Sequence, residues 1–241
     1  MSGIETTIGI LFIGFFIGLK HAIEADHVAA VSTIVSERKN LLSSAIVGGV
    51  WGLGHTISLL LAGVFVLLLN IQISERAERI LEFCVGIMLV FLGLNVLQKI
   101  IRGGTLHFHS HEHGTRTHAH PHIHKQNHEH DEEHTHHGFS LSPRPLIVGM
   151  IHGLAGSAAL MLALIPTIHS RAVGLLYITI FGVGSIVGMM LMSFLVGLPL
   201  HFTATKFNRM NLVLRCIAGL LSVGLGLFIV YEKGFSEGLL S

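Results

Sequence analysis

Six stretches of this chain are apolar for about the length that crosses a lipid bilayer, and few folds accommodate that. They run over about 7–35, 43–69, 78–101, 145–167, 172–198 and 211–232. Roughly 30 Å of hydrocarbon calls for about 20 helical residues. Each stretch is therefore predicted to be a transmembrane helix. Composition agrees: 51% of residues are hydrophobic and 12% are charged, against about 25% charged in soluble domains. The formal net charge is +1, which singles out no acidic partner. A nucleic-acid surface is not expected, because the chain has no basic face and few Tyr or Trp residues. Cys84 and Cys216 both lie in apolar runs, where buried packing is expected rather than a disulfide framework. The N-terminus lacks a basic region and an Ala-x-Ala-like cleavage site, so the first helix is expected to be retained.

The first run contains an anomaly. Lys20, His21, Glu24, Asp26 and His27 stand within an otherwise apolar segment. On insertion scales a charge at the bilayer centre costs roughly 2.5–3.5 kcal/mol. Compensation is required, and histidine with carboxylate is a donor set for a divalent transition metal. An ideal helix turns 100° per residue, which puts Glu24 near both His21 and His27 but turns Asp26 well away from His21. Either the helix breaks here, or Asp26 orients an imidazole from behind. The run is long for one crossing, so a tilt, or a break between Gly18 and Asp26, is expected. Further ligands should come from other spans: His55 on the second, then His152 on the fourth. The candidate metal residues are therefore His21, Glu24, Asp26, His27, His55 and His152. Lys20 is expected to snorkel or to pair with Glu24 or Asp26. His169 and His201 stand at span ends, where an interfacial place is expected.

Residues 103–140 hold 13 of the 19 histidines, many spaced His-x-His. No apolar period runs through them, so disorder is expected, with a metal-collecting or metal-sensing role. The division is thus 1–102, a first three-helix unit; 103–144, the His-rich linker; and 145–241, a second three-helix unit. The two units resemble each other. Gly18-Leu-Lys-His21 aligns with Gly149-Met-Ile-His152, and Gly52-Leu-Gly-His55 with Gly182-Val-Gly-Ser185. Cys84, Gly86 and Gly93 align with Cys216, Gly219 and Gly226, with one slip. The offsets at His21, His55 and Gly86 are 131, 130 and 133 residues. Three spans per unit make the repeats inverted, an arrangement in which transporters place their substrate at the repeat interface. Small residues such as the recurrent glycines also let membrane helices approach closely.

Lys and Arg near span ends set orientation. Arg38, Lys39, Lys99, Arg102, Arg144, Lys206 and Arg209 stand on the linker side. Arg76, Arg79, Arg171 and Lys233 stand on the other. The excess predicts a cytoplasmic linker in a multi-pass protein of the cell membrane.

The octet from Lys20 to His27, Lys-His-Ala-Ile-Glu-Ala-Asp-His, resembles the signature of the nickel/cobalt transporter family, Arg-His-Ala-x-Asp-Ala-Asp-His within a membrane helix. Gly48-x-x-Trp51-x-x-Gly54-His55-Thr56-Ile57 is similar to its second motif, Gly-x-x-Phe-x-x-Gly-His-Ser-Thr. Six spans with a His-rich linker after the third resemble the smaller branches of that group, among them urease-associated nickel permeases and nickel/cobalt exporters. Lys20 and Glu24 stand where the family has Arg and Asp. Larger members carry Leu-Gly-x-Asp-Thr-Ala-Thr-Glu later in the chain. The counterpart here, His152-Gly-Leu-Ala-Gly-Ser157-Ala-Ala, lacks both carboxylates, so the second half is expected to supply fewer ligands.

The resemblance implies transport of Ni²⁺, with Co²⁺ alongside it, as substrate rather than catalytic cofactor. Uptake by a permease is favoured over efflux, with cytoplasmic nickel-handling proteins as partners. The chain has no Gly-x₄-Gly-Lys-Ser/Thr loop, and the membrane potential alone draws a dication inward. A zinc transporter is the second expectation, although the second and fourth spans lack its His-x₃-Asp or His-x₃-Glu pairs. A membrane metalloenzyme is the third, without a His-Glu-x-x-His zinc site. A scaffold with internally paired charges leaves His55 and the linker unexplained. The fold class expected is an all-α integral membrane protein, and no enzymatic activity is expected.

Overall fold

The computed structural model describes residues 3–38, 40–69, 74–102, 107–113, 116–122, 143–155 and 170–239. The helices are α1 (Gly3–His21), α2 (Ala25–Val35), α3 (Leu41–Leu69), α4 (Glu75–Ile101), α5 (Arg144–His152), α6 (Arg171–Lys206) and α7 (Asn208–Tyr231), which runs on into a π-turn over Glu232–Ser236. Four of them, α3, α4, α6 and α7, are long and apolar enough to cross a membrane. A fifth crossing results if α1 and α2 form one span, bent by 56° at its break. The expected span 145–167 begins as α5; residues 156–169 lie outside the described residues.

The bundle is apolar on the outside and small or polar within. Phe12, Phe16, Leu61, Phe65, Phe91, Leu220, Leu221 and Phe228 are exposed, whereas Ser44, Ser58, Ser185, Ser193 and Ser222 are buried. Water penalises such an exterior and lipid does not, so helices in lipid associate through close packing and interhelical hydrogen bonds. Ser222 Oγ donates to the Leu89 carbonyl at 2.8 Å, and Thr56 Oγ1 to the Gly182 carbonyl at 3.2 Å. Cys84 belongs to the exposed surface, and Cys216 is partly covered. The expectation that both are buried fails for Cys84, because an apolar residue on a membrane helix faces lipid as readily as core.

Close helix crossings recur in pairs. Gly18 lies against the Phe181 carbonyl, and Gly149 against the Trp51 carbonyl. Shifted by the offsets of 131 and 130 residues, the first contact becomes the second. Likewise Gly86 meets Gly226, and Gly93 meets Gly219. These pairs exchange under the offset of 133. Thus α1 lies along α6 as α5 lies along α3, while α3 with α6 and α4 with α7 form the central crossings.

Part of the linker departs from the expected disorder. Strands β1 (His107–His113) and β2 (Arg116–His122) pair antiparallel, with His107 opposite His122, His109 opposite His120 and His111 opposite His118. The His-x-His spacing has the two-residue period of a strand. The expected disorder rested on the lack of an apolar period, which does not register an alternation of polar residues. Residues 103–106 and 123–142 lie outside the described residues.

Candidate metal centre

The break between α1 and α2 builds the centre. Ile23 and Glu24 close a turn onto the carbonyls of Lys20 and His21 at 2.9 and 3.1 Å. Glu24 is then extended (φ −62°, ψ 148°) as the N-cap of α2, and its side chain makes no cap hydrogen bond. The carboxylate turns back instead, placing Oε1 3.0 Å from His21 Nδ1. Neither Pro nor Gly stands at this break, so polar pairing replaces the usual causes of a sharp bend. The alternatives left open by the sequence are both realised: the helix breaks, and Asp26 contacts an imidazole.

Asp26 and His27 form the first turn of α2, where an acidic side chain also suits the helix dipole. Asp26 Oδ1 accepts from the His27 backbone N–H at 2.9 Å and lies 3.0 Å from His27 Nδ1. Its other oxygen, Oδ2, lies 2.9 Å from Nε2 of His152, the last residue of α5. One carboxylate thereby links two histidines from opposite halves of the chain. From α3, His55 brings its Nε2 to 3.2 Å from His21 Nε2. Of the two expectations for Lys20, snorkelling or an ion pair, no ion pair forms among the described residues; histidines hold both carboxylates.

All four imidazoles are 1–2% exposed, and their rings pack edge to face: His21–His27 and His27–His152 centroids are both 4.2 Å apart. The carboxylates lie further out, with side chains 48% (Glu24) and 28% (Asp26) exposed. His27 Nε2, His55 Nδ1 and His152 Nδ1 are buried with no hydrogen-bond partner among the described residues. Their donor atoms fall into two groups, His21–His27–His55 and Asp26–His27–His152, each within 4.8 Å and sharing His27. Unpaired buried nitrogens cost about 1–3 kcal/mol each, so this set gains by binding a cation. Imidazole suits borderline transition-metal ions, while Mg²⁺ and Ca²⁺ prefer cages of oxygen.

The six residues singled out from the sequence thus meet in one place, delivered by α1, α2, α3 and α5. His201 lies partly exposed in α6, and His169 is outside the described residues. Trp51 was not singled out as a site residue. It is 1% exposed, its ring centroid 5.3 Å from that of His27 and 5.6 Å from that of His152. The signal was present: Trp51 and His55 stand four apart on α3, hence on one helix face. The shift by 130 residues pairs His55 with Ser185, which is buried and donates to the Gly18 carbonyl at 3.3 Å. The donor set is therefore lopsided, drawn mostly from the first half.

No family model and no solved structure matches the chain. It is 38% identical over 237 residues to the urease accessory protein UreH of Bacillus sp. (strain TB-90), covering 96% of this chain and 95% of that one. It is 25% identical over 227 residues to the chloroplast protein FOR GROWTH AND FERTILITY 2 of Arabidopsis thaliana, and 25% identical over 228 residues to FOR GROWTH AND FERTILITY 1. The chain spans 57% and 60% of the lengths of those two plant proteins.

Proposed function

This chain belongs to the family of the urease accessory protein UreH, and from that premise we propose that it is a membrane permease for Ni²⁺, with Co²⁺ as a second substrate. The carrying observation is the convergence of four buried imidazoles and two carboxylates at a helix break inside an apolar bundle. An accessory protein for urease, as that relative's name describes it, fits a supplier of metal to cytoplasmic nickel-handling proteins. The resemblance of His21 to His27 to the nickel/cobalt transporter signature supports the same substrate.

We assign the chain to the cell membrane, with six crossings in two inverted three-helix units (1–102 and 145–241) and a cytoplasmic His-rich linker (103–144). The reciprocal glycine crossings support the repeat, and the Lys and Arg distribution supports the orientation. No catalytic step is assigned; the metal is cargo. An inside-negative potential favours a dication inside by about 4.6 kcal/mol per 100 mV, twice the single-charge value, so uptake needs no other motor.

The test is radionickel accumulation at low external nickel in cells carrying wild type, His27→Ala or empty vector. The expected result is accumulation above vector that disappears in His27→Ala, with the variant still inserted in the membrane. Accumulation below vector that depends on His27 would keep the site and reverse the direction. No difference among the three would remove nickel transport, and Zn²⁺ outcompeting Ni²⁺ would make zinc the cargo.

A further inference from the structure

We propose that the crevice between α4 and α5 holds one anionic phospholipid of the linker-side leaflet, with its phosphate at Arg38 and Arg144 and an acyl chain along α4. The proposal rests on the reading of the chain as spanning a membrane and is independent of which ion it carries.

α4 packs chiefly along α7 and only sparsely on α5. A groove of about 580 Å³ is left between α4 and α5, walled by Cys84, Ile87, Met88, Phe91 and Ile151. Ile87, Phe91 and Ile151 are exposed in it. Its lining is apolar except at the linker end, where Asn95 and Arg144 stand. Leu92, Asn95 and Arg144 also border a second cavity, of about 280 Å³, lined further by Thr33 of α2 and by Glu37 and Arg38 just beyond that helix. Groove and cavity therefore adjoin. From Asn95 to Cys84, α4 covers about 16 Å at 1.5 Å per residue, close to half of the roughly 30 Å hydrocarbon core. That is the depth an acyl chain of one leaflet fills.

Charge stands only at the end where a headgroup would lie. Glu37 is the carboxylate of the cavity, and Lys99 Nζ meets its Oε1 at 2.6 Å. With Arg38 and Arg144 on the same cavity, positive charge is in excess, and Arg102 caps α4 on that side. Such a field repels a dication, so this cavity is no stop for the cargo. A guanidinium matches a phosphate in shape and charge, and basic pockets between membrane helices on the cytoplasmic side take anionic headgroups. A zwitterionic lipid brings its own ammonium into the same field and loses the gain. The exposed Asn95 amide adds a neutral donor for a phosphate or ester oxygen. The site also adjoins the metal centre. Ile151 precedes His152 on α5, and His152 meets Asp26 at the start of α2. A lipid held here ties α2 and α5 to α4.

The test is native mass spectrometry of the full-length protein in detergent, titrated with dioleoyl phosphatidylglycerol or dioleoyl phosphatidylcholine. Expected is one phosphatidylglycerol per chain, held roughly ten-fold or more tightly than phosphatidylcholine, with a matching rise in melting temperature. Arg144→Gln should weaken phosphatidylglycerol roughly ten-fold, the loss of one charge-assisted hydrogen bond. Ile87→Trp fills the groove and should expel both lipids. It changes an exposed side chain, so it remains informative if Arg144→Gln fails to fold. Arg209→Gln, on an exposed linker-side position of α7, should leave binding unchanged. Equal binding of the two lipids, full phosphatidylglycerol binding in Ile87→Trp, or equal weakening in Arg209→Gln would overturn the site. So would inorganic phosphate binding as well as the lipid, or a dimer mass in place of the lipid adduct. Protein that stays in solution without detergent would instead remove the membrane reading itself.

Discussion

At the scale of single residues, His55 and His152 are equally buried and equally isolated in sequence, yet their surroundings differ. His55 Nε2 faces another imidazole nitrogen, and His152 Nε2 faces Oδ2 of Asp26, whose other oxygen is engaged by His27. Removing His55 takes a nitrogen from the ion. Removing His152 frees one carboxylate oxygen, and Asp26 keeps its hold on His27. His55→Ala is therefore expected to abolish nickel uptake at low external metal. His152→Ala should retain uptake with an apparent KM raised roughly ten-fold, the lower end of the effect seen for supporting groups. Initial rates of radionickel uptake across a range of concentrations separate the two. Equal loss in both variants would show that His152 also binds the ion. That the four histidines cluster was legible from the sequence, because charged and polar groups are too costly in lipid to be scattered. Which nitrogen faces which partner was not legible. It follows from the turn at Ile23–Glu24, and no Pro or Gly in the sequence marks that turn.

At the scale of elements, close backbone approach matters more than apolar area. A side chain at Gly18 would meet the carbonyl of Phe181, whereas one at Gly9 or Gly224 would meet nothing within 4 Å. Gly18→Val should therefore push α1 off α6 and shift the His21 end of the helix, a destabilisation of about 1–3 kcal/mol or more, as for overpacked cores. Gly9→Val on the same helix should be neutral. Thermal unfolding in detergent checks the pair, and equal melting temperatures would remove the crossing as a structural constraint. The sequence showed glycines at recurrent offsets but not which were crossings, since Gly9 and Gly18 look alike in an apolar run. The same ambiguity hid the outward position of Cys84. In the linker the error ran the other way: the His-x-His alternation held a strand period, and the absence of an apolar face concealed it.

At the scale of the whole molecule, the lopsided donor set bears on what drives transport. His21, His27 and His55 come from one half of the chain, and their shifted positions in the other half supply one histidine, His152, and Ser185. A dication that crosses alone on neutral imidazoles moves two charges through the membrane field. Each charge contributes about 2.3 kcal/mol per 100 mV, and about 1.4 kcal/mol is a factor of ten. Purified protein in liposomes should then change its equilibrium Ni²⁺ ratio ten-fold for about every 30 mV of imposed potassium diffusion potential. An inside-positive potential should reverse the gradient. A ten-fold change per about 60 mV would mean one net charge, and hence one countermoving cation. No dependence at all would mean electroneutral exchange, the coupling that an efflux transporter needs to move nickel against this potential. The slope therefore tests direction and stoichiometry together: a permease of the proposed kind, in which the dication crosses without a countermoving cation, must show the full two-charge value.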